Sequence, residues 1–393
     1  MADPLVEEYL LLGLRLGRHV DGLVDAYYGP PELKERVDAE PVVEPAALVE
    51  QADALLEGLE DGWLRDQARG LRTYAGVLSG EELSYSDEVE SCYGVRPERT
   101  DTQVYEDALE GLEALLPGTG SLVDRYQAWK SQSTVPADRV VPALMDVAAE
   151  LRVVVSRLVE LPEGEAFEAE AVRDEPWLAF NYYLGDLRSR IAVNVDEASA
   201  FHEEIVHLTA HEIYPGHHTE RCVKEQVLLR DQGRLEESIK LVPTPEALVT
   251  EGVAEAGWVL LWNEEIAGRI GVIARKHGVE YDVEQAQAIA EARFVLRRTR
   301  VDAALMIHED GAPISEAEGH VLHWSLLTAE EAIQAIRFVV DPIWRAYAIT
   351  YTAGLELCTA WMGGDPTRLR RLLTEHVRVG ELASGSGSAD DQA

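Results

Sequence analysis

The sequence predicts an all-α fold, mainly helical and built as one large body, and three observations predict it. Apolar residues recur at helical spacing in Val6, Tyr9, Leu10 and Leu14, and again through 45–78, 101–116, 138–160, 281–304 and 328–362. Between the runs stand Gly29-Pro30-Pro31, Leu116-Pro117-Gly118, Leu161-Pro162-Glu163-Gly164 and Val242-Pro243-Thr244-Pro245, where proline lacks the helical donor and ends each run. One stretch departs from the pattern. Ser189–Asp196 alternates with period two after the aromatic cluster Trp177 to Tyr183, which reads as a short strand in a β hairpin. The body is expected to span 1–383 as a single domain, which could divide into lobes 1–175 and 176–383 about a cleft. The Ser/Gly-rich residues 384–393 are expected to form a disordered tail.

Composition bounds the function. With 46% hydrophobic and 27% charged residues over 393 positions, the chain can bury a sizeable core without metal or disulfide staples. Its 72 acids against 35 bases give a formal net charge of −37, which repels phosphate backbones and anionic membrane surfaces. Neither nucleic acid nor a membrane is therefore an expected partner. A solvated, salt-tolerant surface accounts for the charge, and a site within it would slightly favour cationic substrates. Cys92, Cys222 and Cys358 lie far apart, unlike a thiolate metal site, and fit buried free thiols in a reducing compartment. The residues following Met1 lack the basic start and apolar run of a signal peptide. The expected location is the cytoplasm.

The chemistry sits in His211-Glu212-Ile213-Tyr214-Pro215-Gly216-His217-His218. Zinc hydrolysis needs imidazoles or carboxylates on the metal, one open position, and a carboxylate beside the attacking water as general base. On a helix this is met by His-Glu-x-x-His, with the histidines one turn apart. Here His211-Glu212 keeps the first half, but Pro215 occupies the position of the second histidine. On an ideal helix His218 lies only about 20° out of phase with His211 but roughly 10 Å along the axis. His217 is about 120° out of phase, yet a bulge at Pro215-Gly216 would turn it onto the metal. His217 is the preferred second ligand, with His218 beside it facing substrate or a neighbouring acid. One such motif predicts one zinc per chain. Were the strand at Ser189–Asp196 a sheet edge, an extended peptide could pair with it; a purely structural hairpin is the alternative.

These residues resemble the bacterial domain of unknown function 885 family, whose members carry His-Glu-x-x-Pro-Gly-His-His and look like relatives of gluzincin metallopeptidases. Further likeness lies in Val24-Asp25-Ala26-Tyr27-Tyr28-Gly29-Pro30, Tyr93-Gly94-Val95, Glu251-Gly252 and Tyr351-Thr352-Ala353-Gly354. The resemblance implies a third ligand from Glu251 on a later helix and Tyr351 as the phenol that donates to a developing oxyanion. Local sequence is compatible, since Thr244-Pro245-Glu246 starts a helix well and Glu251 and Glu255 then lie one turn apart, a ligand and a carboxylate to orient a histidine. Against this, most of the acids must simply be solvated.

His207, four residues before His211, shares its helical face and could be a rival ligand or a donor that supports the ligands, the second role being preferred. Arg345 and Tyr347 could contact a substrate carboxylate. The sets His308-Glu309-Asp310 and His320-x-x-His323 could also hold a metal but read more simply as surface or core groups. Glu204-Ile205-Val206-His207 resembles the Glu-x-x-His of di-iron bundles, which need a second copy that the sequence lacks. A metal-binding protein without catalysis would have no use for Glu212 beside its ligand. The expected activity is a zinc-dependent hydrolase acting on a peptide, of carboxypeptidase or oligopeptidase type, or on another small amide or ester, since water activation is indifferent to the leaving group on the carbonyl.

Overall fold

The computed structural model of the chain describes residues 3–175 and 177–385. Helices dominate, as the period of the apolar residues predicts. The N-terminal third comprises α1 (Pro4–Leu16), α2 (Pro31–Ala39), α3 (Pro45–Gly58), α4 (Trp63–Ser79), α5 (Tyr85–Tyr93), α6 (Thr102–Leu115) and α7 (Leu122–Ser131). The long α8 (Ala137–Val155) precedes the site, which is built on α9 (His207–Glu212), α10 (His217–Lys224) and α11 (Pro245–Leu261). Then come α12 (Glu264–Lys276), α13 (Val283–Phe294), α14 (Thr299–His308), α15 (Ile314–Trp324), α16 (Ala329–Val340), α17 (Thr350–Met362), α18 (Pro366–Thr374) and α19 (Val379–Ser384). Many starts carry the cap that their sequence offers: Ser84, Asp101, Ser121, Asn263, Asp282 and Thr328 each accept a first-turn N–H. None of the described helices is long and apolar enough to cross a membrane.

Two predicted runs are broken. The run 45–78 is α3 and α4 separated at Leu59–Gly62, and 328–362 is α16 and α17 separated by 341–349. The predicted tail begins inside structure, since α19 runs to Ser384 and Gly385 closes it with φ 62°, while 386–393 lie outside the described residues.

Strands β1 (Val24–Tyr27) and β5 (Ile239–Leu241) pair antiparallel. A three-stranded sheet has the order β2 (Ala166–Val172), β4 (Arg188–Asn194), β3 (Ala179–Gly185). The predicted strand is β4, and β3–β4 is the predicted hairpin, turning through Gly185, Asp186 and Leu187, all with positive φ. The edge-strand expectation is corrected here. β4 is central, paired with β3 antiparallel and with β2 parallel, so its backbone is already used on both sides.

The largest core gathers α5, α8, β4, α9, α11 and α14–α17, including residues from both sides of position 175; a second joins α1–α4 to Ile239 and Leu241 of β5. At the centre lies α11, buried on nearly every side, its carboxylates Glu246, Glu251 and Glu255 included. Its closest neighbour is α17. A Cβ on Gly354 would stand 2.5 Å from the Leu248 carbonyl oxygen, and one on Gly252 would stand 2.6 Å from Cys358 Sγ. The two glycines thus let the helix backbones touch.

That crossing yields a test of the packing. Gly354→Ala is expected to lower unfolding free energy by roughly 1–3 kcal/mol, the usual scale of overpacking, because the obstacle is backbone and cannot swing aside. Urea unfolding of the two proteins measures it; equal midpoints and slopes would contradict the close approach.

Candidate metal centre

The chain turns back on itself between α9 and α10. The helix ends at Glu212, Ile213 leaves helical geometry with φ −122° and ψ −80°, and α10 begins at His217. The Tyr214–Pro215 peptide is cis. Gly216 has no room for a side chain, because a Cβ there would overlap the His211 carbonyl. Pro215 packs against Gly257 of α11, where a Cβ would lie 2.7 Å from its Cγ. Groups at the end of α9 find partners in this turn: Ala210 O accepts from Gly216 N at 2.9 Å, Ile213 O from Thr219 Oγ1 at 2.8 Å, and Glu212 O from Asn181 Nδ2 at 2.7 Å. The predicted bulge within one helix is therefore replaced by a complete break between two.

The break turns the two histidines in different directions. His217 Nε2 lies 3.1 Å from His211 Nε2, and both face Glu251 of α11, at 3.3 Å from His211 Nε2 to Oε2 and 3.5 Å from His217 Nε2 to Oε1. His218 points the other way. Fully buried, it has Nδ1 2.8 Å from Ser189 Oγ and Nε2 2.9 Å from Glu165 Oε2. It meets the neighbouring acid of the two expected partners, and both ring nitrogens are occupied by the protein.

The separations suit zinc. Tetrahedral bonds of about 2.0–2.1 Å put neighbouring ligand atoms roughly 3.4 Å apart, against the 3.1, 3.3 and 3.5 Å found. Glu251 Oε2 is buried with no well-aligned hydrogen bond and faces only His211 Nε2 at 3.3 Å, so it is the protonated His211 ring, or a metal in place of that proton, that offsets its charge. Around these three side chains stand further polar groups. Glu255, one turn beyond Glu251, faces His211 Nδ1 at 3.4 Å and takes His207 Nε2 at 3.0 Å and Arg297 Nη1 at 2.8 Å. Glu255 and His207 lie beside His211, and these three residues form a second group whose ligand atoms are close enough to hold an ion.

Electrostatics separate the groups. Burial depresses the His217 pKa to about 3, so its imidazole is neutral. Burial also opposes charge on His211, but Glu251 and Glu255 hold its pKa well above the ordinary value; a metal would have to displace that proton. Burial alone would raise Glu251, yet His217 and His211 keep it below the usual range, as Arg297 and His207 keep Glu255 far below it. Glu212 differs. Burial, relieved by His211 and reinforced by Glu251, pushes its pKa up to about 7. Tyr351 is half-buried on α17, and burial followed by the charges of Glu251 and Glu212 raises its pKa well above 10.

Two minor expectations are corrected. Tyr347 donates to Glu251 Oε1 at 2.7 Å rather than facing a substrate. Arg345 is engaged by the buried Glu88. The rival sets also find other employment: His308 Nε2 meets Val339 O at 2.8 Å, His320 faces Asp302 at 3.4 Å and His323 packs on Trp324. Glu204 accepts from the Ser199 and Ala200 N–H groups and pairs with Lys130 at 2.6 Å, so it does not join His207. Sequence reasoning missed Asn181, Glu165 and Arg297, whose spacing carries no signal. The Tyr347 contact was accessible in part, since Tyr347 stands four residues before Tyr351 on one helical face.

No protein-family model matches the chain, and no curated protein does. Among solved structures it is similar to one titled "The crystal structure of the putative lipoprotein from Colwellia psychrerythraea", at 15% identity and a TM-score of 0.54. The match covers 90% of this chain and 64% of that one, so the chain spans less than two thirds of its structural neighbour. The likeness is one of fold.

The Tyr347 hydroxyl generates a prediction. Tyr347→Phe removes the donor to Glu251 Oε1 and is expected to weaken zinc binding by about 10-fold or more, the typical effect of losing a partner of a ligand. Competition against a chromophoric chelator measures it, and an unchanged dissociation constant would exclude the role.

Proposed function

We propose that the chain is a zinc-dependent hydrolase of the peptidase kind, holding one zinc through His211, His217 and Glu251. One observation carries the reading: two imidazole nitrogens and a carboxylate from two separate helices converge in one buried place, beside a second carboxylate, Glu212, poised near neutrality. The resemblance of His211–His218 to the domain of unknown function 885 family and its gluzincin-like relatives supports it.

Zinc, when bound, supplies a Lewis acid that polarises a carbonyl and acidifies water. Glu212 takes the proton of the attacking water and passes it to the leaving nitrogen; a carboxyl near pH 7 can do both. The Tyr351 phenol, kept protonated by burial and its acidic neighbours, donates to the oxygen that gains charge. Glu255 orients His211 and Tyr347 orients Glu251, which keeps the ligands preorganised. The preferred substrate class is a peptide, with small amides or esters as alternatives that a substrate panel separates. The cytoplasm is the proposed location, and three cysteines that are buried and free are compatible with such a reducing compartment.

Elemental analysis of metal-replete protein is expected to give about one zinc per chain. His217→Ala should lose it, whereas His218→Ala should retain it, because the His218 ring is held by Ser189 and Glu165. Zinc retained without His217, or iron at about two per chain, would overturn the ligand set. Glu212→Gln should keep the metal while hydrolysis falls roughly 100-fold or more, the scale of a lost general base. A Gln variant as fast as the parent would remove Glu212 from the mechanism.

A further inference from the structure

Of the three side chains that would hold the zinc, two are steadied by groups of their own. His211 Nδ1 faces Glu255 Oε1 at 3.4 Å, and Glu251 Oε1 accepts from the Tyr347 hydroxyl at 2.7 Å. His217 differs. Among the described residues none is hydrogen-bonded to its Nδ1, which is buried, although a histidine that binds a metal almost always donates from its other nitrogen to a group that fixes the ring. What fixes His217 must therefore act through packing and through its backbone.

On either side of Pro215-Gly216 the chain is gripped by one carboxylate oxygen. Glu165 Oε2 accepts from the Tyr214 hydroxyl at 2.8 Å and lies 2.9 Å from His218 Nε2, while Glu165 Oε1 accepts from Arg152 Nε of α8 at 2.7 Å. Ser189 Oγ stands 2.8 Å from His218 Nδ1 and completes the partners of that ring. An apolar contact runs beside the polar one. Phe167, two residues beyond Glu165, meets both rings edge-on, its centroid 6.0 Å from that of Tyr214 and 5.6 Å from that of His218. Glu165, Tyr214 and His218 are all buried, where a hydrogen bond to a carboxylate is costly to lose.

We propose that Glu165 is a positioning residue for His217: by gripping Tyr214 and His218 it closes the turn that sets His217 Nε2 against His211 Nε2. The proposal rests on the zinc reading above. His217 and His218 are the first two residues of α10, so a fixed His218 ring fixes the first turn of that helix and the direction in which the His217 side chain leaves it. Tyr214 holds the other end of the turn at the same oxygen. Arg152 ties the carboxylate to α8, which refers the turn to a long helix rather than to a loop. Zinc bonds keep within about 0.2 Å of their preferred lengths, so even a small shift of α10 would be felt at the ion.

Glu165→Gln keeps the size of the side chain and removes the charge that draws three donors together. Competition against a chromophoric chelator is expected to show zinc bound about 10-fold or more weakly, the usual effect of losing a residue that orients a ligand, with one zinc per chain still taken up at saturation. His218→Ala should likewise keep the stoichiometry expected above and lose affinity. Should Glu165→Gln not fold, Tyr214→Phe removes one arm alone and is expected to weaken zinc roughly 3-fold, the scale of one hydrogen bond. Tyr105→Phe is the comparison, since it deletes a like buried bond, to Asp302 at 2.7 Å, in a separate core, and should leave zinc affinity unchanged. Cobalt in place of zinc reads the ligand geometry: its visible bands should shift in Glu165→Gln and Tyr214→Phe and match the parent in Tyr105→Phe. Unchanged affinity and bands in Glu165→Gln, or equal losses in the two Tyr→Phe variants, would overturn the assignment. Crystal structures of metal-free parent and Glu165→Gln separate it from the zinc reading, because His217 Nε2 is expected to move away from the 3.1 Å that it keeps from His211 Nε2. If the parent takes up no zinc and the variant still shows that movement, the zinc reading fails and the positioning role stands. If zinc binds and neither separation nor affinity changes, the reverse holds.

Discussion

Everything at the candidate metal centre depends on how little space separates Gly216 from the His211 carbonyl. A side chain at 216 would occupy the oxygen's place, so the chain can close its turn only around glycine. That closure converts a spacing unsuited to a continuous helix into one that brings His217 Nε2 within 3.1 Å of His211 Nε2. It also reverses the roles of two adjacent histidines. His217 faces Glu251, whereas His218 enters a hydrogen-bonded chain with Ser189, Glu165, Tyr214 and Arg152.

Around the turn the protein places charge where a simpler core would use hydrocarbon. Lys224 of α10 contacts Glu220 at 2.5 Å and Glu246 at 3.5 Å, and Lys240 of β5 pairs with Glu246 at 2.8 Å and with Glu237. All these groups are buried. Such pairs are poor evidence of net stability, because desolvation opposes them by several kcal/mol per ion. Their effect is registry: α10, β5 and the start of α11 fit together in one arrangement that gives each of these charges a partner. Thr250 Oγ1, 3.2 Å from Glu220 Oε1, extends the contact to the residue before Glu251.

Much of the fold was legible because helical periodicity is local. The helices α6 and α8 follow the predicted 101–116 and 138–160 closely. β2 was not legible, since Ala166-Phe-Glu-Ala-Glu-Ala-Val172 is rich in good helix formers and becomes a strand only by pairing with β4. At the site, residue types were readable and the path was not. Ideal-helix geometry put His217 about 120° away from His211, but α9 ends at Glu212 and the comparison no longer applies. Partners recruited across the chain, such as Tyr347 to Glu251 or Asn181 to the Glu212 carbonyl, leave no trace in spacing.

The contact of Gly252 with Gly354 has a consequence for assembly. His211 and His217 belong to one short segment and could form a two-toothed chelate as soon as that segment turns. Glu251 sits one residue before the crossing glycine and Tyr351 three residues before the other, so the third tooth and the phenol arrive together, when α11 docks on α17. An ion held by all three ligands would therefore be gripped by tertiary structure rather than by local sequence. Its affinity would report how completely the two helices have closed.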